Sequence, residues 1–273
     1  MTQHKLPLTF YGFSTIYVLK SQMPEDMVKD LNDYLDNLRE DKDKQTAAGG
    51  LVGQIKGGEQ LEIDVTHEKV KDYARLVVQL GAQYIKEFSR TTGISQGNTN
   101  FKIENDSTWS VHSYEGDYNP IHDHGTRSMM GISTTTWTKI PQQIQDQPDP
   151  NTQVSWFPNK DKDKDKDEKD KETGKKFDLF HSSGVTDGYL TFYGGTSSQR
   201  DGMILKDPGK HIVKPVVGTI YIFPSWLEHG VNPFRGPGER RTVATNLNVW
   251  DVGSFKGTGG MYDPDGMMHT YVG

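Results

Sequence analysis

The sequence predicts a mainly β protein in which two helices near the N-terminus precede a region of many short strands. Helical periodicity is confined to about the first hundred residues. From about Phe101 onward, short runs of β-branched and aromatic residues alternate with turns rich in Gly, Pro and Asn. Because many short strands without intervening helices usually pair antiparallel, we expect an antiparallel sandwich or barrel.

The N-terminal elements follow from local patterns. Residues 6–19 are rich in aromatic and β-branched residues and predict a strand or a bent pair of strands. Pro24 is expected to open a helix, because the apolar residues that follow it recur on one face. Residues 47–58 contain five glycines and predict a loop. Asp64 or Thr66 is expected to cap a second, longer helix.

The later region predicts six strands separated by turn residues. They are residues 108–114, 129–140, 189–193, 211–217, 219–223 and 241–250. A polar and charged segment, residues 142–176, interrupts them and contains eight lysines and seven acidic residues between Lys160 and Lys176. Such a segment cannot bury enough apolar surface to offset its ordering entropy. We therefore expect a mobile surface insertion that folding and chemistry do not need.

These patterns predict one domain over residues 1–273. We expect residues 1–100 to support a β core at 101–250, and the Gly- and Met-rich tail at 251–273 to pack on the surface. A chain of this length can bury a substantial hydrophobic core.

Composition excludes several classes of function. The 273 residues include no cysteine, which rules out a disulfide framework, a thiol nucleophile and a thiolate metal site. The formal net charge of -6 argues against a general nucleic-acid binder. No apolar run approaches the length of a membrane span, and the N-terminus lacks a signal-peptide core. We expect a soluble, cytoplasmic protein with no nucleic-acid or membrane partner.

Three histidines suggest a metal site. His122 and His124 lie two residues apart, so on a strand both side chains would point to one face and Asp123 to the other. His229 follows an apolar strand and a turn about a hundred residues later. Two histidines from one strand and one from a distant strand form a three-point site with open coordination positions, as a catalytic metal requires. Asp123 could replace His124 only if the strand twists out of its alternation.

A pair of arginines strengthens this interpretation. Arg240 lies eleven residues beyond His229, across a Gly- and Pro-rich turn, and Arg241 follows it. A guanidinium presents a planar fork that suits a carboxylate. Strand alternation lets only one of the two, Arg240 or Arg241, face inward. The other would then form an ordinary surface salt bridge.

Several motifs resemble one known family. They are NPIHDHGTRSMMGISTTTWTKIP, DGYLTFYGG, KPVVGTIYIFPSWLEHGVNPFRG and ERRTVATNLN, within residues 108–248. The chain resembles the iron(II)- and 2-oxoglutarate-dependent oxygenases, above all the group found in bacteria and bacteriophages. The resemblance implies a double-stranded β-helix, a jelly roll related to the cupins, flanked by N-terminal helices.

The resemblance also implies a set of ligands and a reaction. It implies three metal ligands and three co-substrate contacts: His122, His124 and His229 for Fe(II), and Arg240, Thr242 and Tyr114 for 2-oxoglutarate. His124 is a departure, because the wider superfamily has Asp or Glu there. The implied reaction uses O2 to convert 2-oxoglutarate to succinate and CO2 while hydroxylating a C–H bond of a small-molecule or peptide substrate.

Three other functions remain open at the level of sequence. Three histidines also suit a zinc hydrolase or hydratase, which gives no role to Arg240. A cupin-type three-histidine dioxygenase would need no co-substrate. A jelly-roll binding module would keep the fold without catalysis. The order of the motifs and the arginine favour the 2-oxoglutarate-dependent enzyme.

Overall fold

The described residues form two antiparallel β-sheets packed face to face. A computed structural model describes residues 8–13, 16–92, 101–128, 130–147, 149, 186–194, 209–251 and 269–272. Two long helices cover the outer face of the larger sheet, and the smaller sheet covers its inner face. The predicted mainly β jelly roll with N-terminal helices is confirmed.

The elements are as follows. The helices are α1 (Glu25–Glu40), α2 (Lys71–Thr92) and the short α3 (Gln142–Gln145), with a 3₁₀ turn at Ala48–Gly50. The strands are β1 (Leu8–Phe13), β2 (Ile16–Gln22), β3 (Glu59–Glu62), β4 (Phe101–Ser113), β5 (Asn119–His122), β6 (Met130–Lys139), β7 (Leu190–Tyr193), β8 (Lys210–Val213), β9 (Thr219–Pro224), β10 (His229–Val231), β11 (Arg240–Asp251) and β12 (His269–Val272).

The larger sheet has the order β1-β2-β9-β6-β11-β4-β12, and β3 also pairs with β4. Its strands alternate between two cores, as period-two geometry requires. On β9, Ile220 and Ile222 pack with the apolar faces of α1 and α2, whereas Tyr221 and Phe223 pack against the smaller sheet. The larger sheet is therefore buried on both faces.

The smaller sheet has the order β5-β10-β7-β8. Leu190 and Phe192 of β7 point toward the larger sheet, and the rings of Phe192 and Phe223 lie 4.9 Å apart between centroids. Because β10 lies between β5 and β7, this sheet brings residues that are about a hundred positions apart in sequence to one face.

Helix α2 begins later than the sequence suggested. Asp64 or Thr66 was expected to cap it, but α2 starts at Lys71. The Asp64 carboxylate instead accepts hydrogen bonds from the backbone and hydroxyl of Thr66. These bonds hold a separate turn in front of the helix, so the same side-chain chemistry that caps helices here caps a turn.

The insertion was predicted to begin at residue 142, which is too early. Residues 142–145 form α3, and Ile144 is fully buried in the core between the sheets. Lys214 also donates to the carbonyl oxygens of Gln145 and Gln147. The prediction of a solvated segment from residue 142 is therefore wrong at its beginning, where Ile144 anchors the chain. The lysine- and aspartate-rich run lies outside the described residues.

Most of the tail at 251–273 also lies outside the described residues. Its last part, β12, pairs with β4 and thus extends the larger sheet. Among the helices that the structure describes, none combines the length and the apolar character needed to span a membrane.

Candidate active site

Two short strands and the turn after one of them bring the three predicted histidines together. His122 ends β5 and His229 begins β10, and the two residues are direct partners in the antiparallel register. His124 lies just beyond β5, not on the strand as expected, and its backbone N–H donates to the carbonyl of Ser225 at 2.8 Å. One ring nitrogen from each histidine lies within 4.8 Å of the other two.

The hydrogen bonds of the histidines leave one nitrogen of each ring available to a ligand. His122 and His229 each bond through Nδ1 to the backbone carbonyl two residues earlier, at 2.7 and 2.8 Å. His124 bonds through Nδ1 to the side-chain oxygen of Asn246 at 2.8 Å. A carbonyl oxygen only accepts, so Nδ1 carries the proton and Nε2 keeps a lone pair. This is the arrangement that orients a metal-ligating imidazole.

Burial keeps two of these imidazoles neutral. Burial lowers the pKa of His124 to about 4. It also lowers the pKa of His229 to about 3, and repulsion from the other two imidazoles adds to this effect. A neutral imidazole is the form that binds a metal ion, so both side chains are ready to act as ligands at neutral pH.

The histidines line a cavity of about 180 Å³ between the two sheets. Apolar walls come from both sheets, and residues of the 3₁₀ turn and the following loop line another side. The lining includes Trp109, Trp137, Leu190, Phe223 and Val231. Asp123 also lines the cavity at its exposed side but does not belong to the three-nitrogen cluster. The geometry thus groups His124, and not Asp123, with the other two histidines.

Arg240 lines the same cavity from the larger sheet and is only 2% exposed. Its guanidinium donates to the carbonyls of Gly188 and Asn232 at 3.2 and 3.1 Å, and to the hydroxyl of Ser113 at 3.2 Å. These partners are neutral, and no ion pair to Arg240 occurs among the described residues. Burial lowers its pKa to about 10, so it keeps its charge at neutral pH.

A Gly- and Pro-rich turn carries the chain from His229 to Arg240. The turn contains Gly236 and Gly238 with φ of 93° and 107°, values that side chains other than glycine rarely adopt. It leads from β10 in the smaller sheet to β11 in the larger one. His229 and Arg240 therefore reach the cavity from different sheets.

Arg241 points away from the cavity and is 1% exposed. It donates to both carboxylate oxygens of Glu239, at 2.8 and 3.0 Å, and also pairs with Asp36 on α1. The expectation of a surface salt bridge is wrong for the Arg241–Glu239 pair, because both side chains are buried beneath α1 and only the second partner, Asp36, is exposed. The alternation that places Arg240 at the cavity places Arg241 under the helix.

Tyr114 does not line the cavity, contrary to the implied co-substrate contact. It follows the end of β4, and its ring lies 5.9 Å from the guanidinium carbon of Arg39. The preceding residue, Ser113, pairs with Arg240 in the β4–β11 register and bonds to it. Tyr114 lies just beyond the end of β4, and neither it nor Ser113 lines the cavity, so its contact with a co-substrate stays a prediction.

Thr242 and Asn246 share the cavity face of β11 with Arg240. Thr242 was expected at this site, whereas sequence reasoning gave Asn246 no role. Counting in twos from Arg240 along the strand would have reached Asn246. Its contact with His124, which is distant in sequence, left no local signal.

Residues 184–246 match the family model described as "Putative 2OG-Fe(II) oxygenase". The matched segment contains His229, Arg240, Thr242 and Asn246 but neither His122 nor His124. No curated protein matches the chain.

Solved structures similar to the chain include three proteins of low sequence identity. A prolyl-4-hydroxylase from Pseudomonas putida is 14% identical, with 85% of this chain and 91% of that chain covered and a TM-score of 0.46. The carbocyclase SnoK from nogalamycin biosynthesis is 8% identical, with 93% and 92% covered and a TM-score of 0.48. HygX from Streptomyces hygroscopicus, with nickel and 2-oxoglutarate bound, is 10% identical, with 85% and 82% covered and a TM-score of 0.42.

Proposed function

From the family match, which supports assigning the chain to the iron(II)- and 2-oxoglutarate-dependent oxygenases, we propose that it is a dioxygenase of the hydroxylase type. One observation carries the proposal. Three imidazole nitrogens with free lone pairs and a buried guanidinium without a carboxylate partner line a single cavity. The first group suits a metal ion and the second an anion, so the cavity suits an anionic co-substrate that also binds the metal.

His122, His124 and His229 would hold the iron. Imidazole ligands suit Fe(II), and three of them leave coordination positions for a bidentate co-substrate and for O2. The ligand set is neutral, so it leaves the full positive charge of the metal to attract a carboxylate. Bound Fe(II) and 2-oxoglutarate supply the O2-dependent oxidation, with succinate and CO2 as products.

Arg240 would bind the far carboxylate of 2-oxoglutarate. Its present partners are two backbone carbonyls and one hydroxyl, which hold the guanidinium in place without cancelling its charge. The contact would be a charge-assisted hydrogen bond in a buried place, where such bonds are strong. The Thr242 hydroxyl on the same face can donate to the same carboxylate.

The remaining walls orient the substrate and limit access by water. Trp109 and Phe223 contribute apolar surface beside the histidines, and the ring of Trp109 lies 5.6 Å from that of His124. An exposed carboxylate, Asp123, lies at the open side of the cavity. We propose a small molecule or a peptide segment as substrate, since a cavity of this size can admit such a group.

Anaerobic titration with Fe(II) and 2-oxoglutarate, followed by O2-dependent succinate release, tests the proposal. We expect one Fe(II) per chain and succinate formation that requires both ligands. His229→Ala should abolish iron binding and turnover, whereas His67→Ala, which alters an exposed histidine outside the cavity, should change neither. Preference for zinc without succinate release would indicate the hydrolase alternative. A folded protein that binds no metal would indicate a binding module.

A further inference from the structure

We propose that Asn246 is a positioning residue that makes His124 a metal ligand, by holding the imidazole proton on Nδ1 with the help of Ser133. The inference rests on the proposed metal site. A carboxylate ligand has a lone pair on either oxygen and needs no such control. An imidazole has only one, and its position depends on which nitrogen carries the proton.

The contacts around His124 form a closed side-chain network. The Asn246 side-chain oxygen lies 2.8 Å from Nδ1 of His124 and 2.9 Å from the hydroxyl of Ser133. That hydroxyl lies 3.0 Å from the same Nδ1 and 2.9 Å from the hydroxyl of Ser225. Asn246 is 8% exposed, Ser225 4% and Ser133 fully buried, so solvent offers few alternative partners.

The chemistry of these groups sets the direction of each bond. The amide oxygen of Asn246 can only accept, so it accepts hydrogen bonds from the His124 Nδ1–H and from the Ser133 hydroxyl. Once the hydroxyl proton of Ser133 points to Asn246, the Ser133 oxygen is free to accept a hydrogen bond from the Ser225 hydroxyl. The imidazole proton is then on Nδ1, and the lone pair on Nε2 points toward Nε2 of His122, 3.2 Å away. Two lone pairs at this distance repel unless a cation lies near both.

His124 differs from the other two ligands in how its proton is held. The Nδ1 atoms of His122 and His229 bond to backbone carbonyls, which a substitution does not remove. Only His124, among the three, depends on a side-chain acceptor. Of these three histidines, His124 is also the one that lies outside a strand, and its backbone N–H donates to the carbonyl of Ser225. The position of the His124 imidazole and of its proton therefore depends on a few side chains.

Cobalt(II) titration of the metal-free protein, followed by visible absorption, tests the inference. Asn246→Leu keeps the approximate volume but removes the acceptor, and it should weaken Co(II) binding by about 10- to 100-fold. Asn246→Asp restores an acceptor and should bind Co(II) at least as tightly as the wild type. Thr245→Val is the control, because it removes a buried hydroxyl from the opposite face of the same strand. It should leave the affinity unchanged.

Unchanged Co(II) affinity in folded Asn246→Leu would overturn the inference. Should that variant not fold, ¹⁵N NMR of the metal-free wild type decides. A proton on Nδ1 of His124 supports the inference and a proton on Nε2 overturns it. A wild-type protein that binds no metal would overturn the proposed function itself, which separates that failure from the failure of this inference.

Discussion

Each face of β11 buries one arginine, but the two arginines have different partners. Arg240 and Arg241 are adjacent, and both are almost fully buried. Arg241 faces α1 and meets the carboxylates of Glu239 and Asp36. Arg240 faces the cavity, donates hydrogen bonds to two carbonyls and a hydroxyl, and lies 5.5 Å from the centre of the Phe234 ring. A buried guanidinium that carboxylates neutralise serves the fold, whereas one held by neutral dipoles retains its attraction for an anion.

The contrast extends along the strand. On the helix side, Val243 and Leu247 pack into the core beneath the helices, and Thr245 bonds to Thr108. On the cavity side lie Thr242 and Asn246, beside the proposed ligands. One face of β11 therefore fixes the helices to the sheet, and the other carries the candidate site. Substitutions on the two faces should have separable effects.

The largest effect is expected for Arg241→Ala. It leaves Glu239 buried with fewer positive partners, so it should lower the free energy of unfolding by on the order of 3 kcal/mol. The KM for 2-oxoglutarate, measured on folded protein below the melting transition, should stay unchanged. Chemical denaturation and succinate release test the two halves of this prediction. A raised KM with unaltered stability would assign Arg241 to the cavity instead.

Glu239→Gln should have a slightly smaller effect that depends on pH. Burial by itself would raise the pKa of Glu239, but hydrogen bonds from His112, Arg241 and Lys139 hold it well below its ordinary value of 4.5. The charge therefore stabilises the fold fully above that value and progressively less below it. The variant should be less stable by about 2 kcal/mol at pH 7.

The difference in stability between Glu239→Gln and the wild type should narrow as the pH falls below about 4.5. Thermal unfolding of both proteins across pH 3 to 7 measures it. A difference that is constant with pH would show that the Glu239 charge does not stabilise the helix-facing side of β11.

Arg240→Met should reverse the pattern of Arg241→Ala. Loss of a charge-assisted contact with a carboxylate should raise the KM for 2-oxoglutarate by about tenfold or more. Stability should fall less than in Arg241→Ala, because no buried carboxylate loses its partner. The stabilisation that 2-oxoglutarate gives the iron-loaded enzyme in thermal unfolding should also be reduced. An unaffected KM would remove Arg240 from the co-substrate site.

Thr242→Val should give the smallest effect. It removes one hydroxyl from the cavity face, a change of about 1 kcal/mol, and should raise the KM for 2-oxoglutarate by roughly fivefold. Thr245→Val, which alters the other face, should lower stability without changing KM. Equal KM values for the wild type and Thr242→Val would show that the hydroxyl does not reach the co-substrate.

Local sequence patterns predicted much of the fold and of the candidate site. Period-two alternation placed Arg240 and Arg241 on opposite faces, and the apolar spacing after Pro24 predicted α1. Tyr114 lies one residue beyond the end of β4, where alternation does not fix the direction of its side chain, and it does not line the cavity. Strand ends depend on pairing with distant partners, which a single sequence does not show.

The other features that the sequence did not predict depend on contacts between distant segments. The bond between Asn246 and His124 spans 122 positions, and the docking of Ile144 depends on a core built from both sheets. The burial of Arg241 likewise depends on α1, about two hundred residues earlier. Each of these contacts forms only when folding brings distant segments together. Residue type and spacing along the sequence therefore do not indicate it.

The direct register between His122 and His229 has a consequence for folding. An ion held by both would cross-link strands β5 and β10, which are joined by a long stretch of chain, in a protein that has no cysteine. A ligand that binds only the native state stabilises it by mass action, by about 2.7 kcal/mol at a hundred times its Kd. The supply of metal would then help to determine how much of the smaller sheet stays assembled.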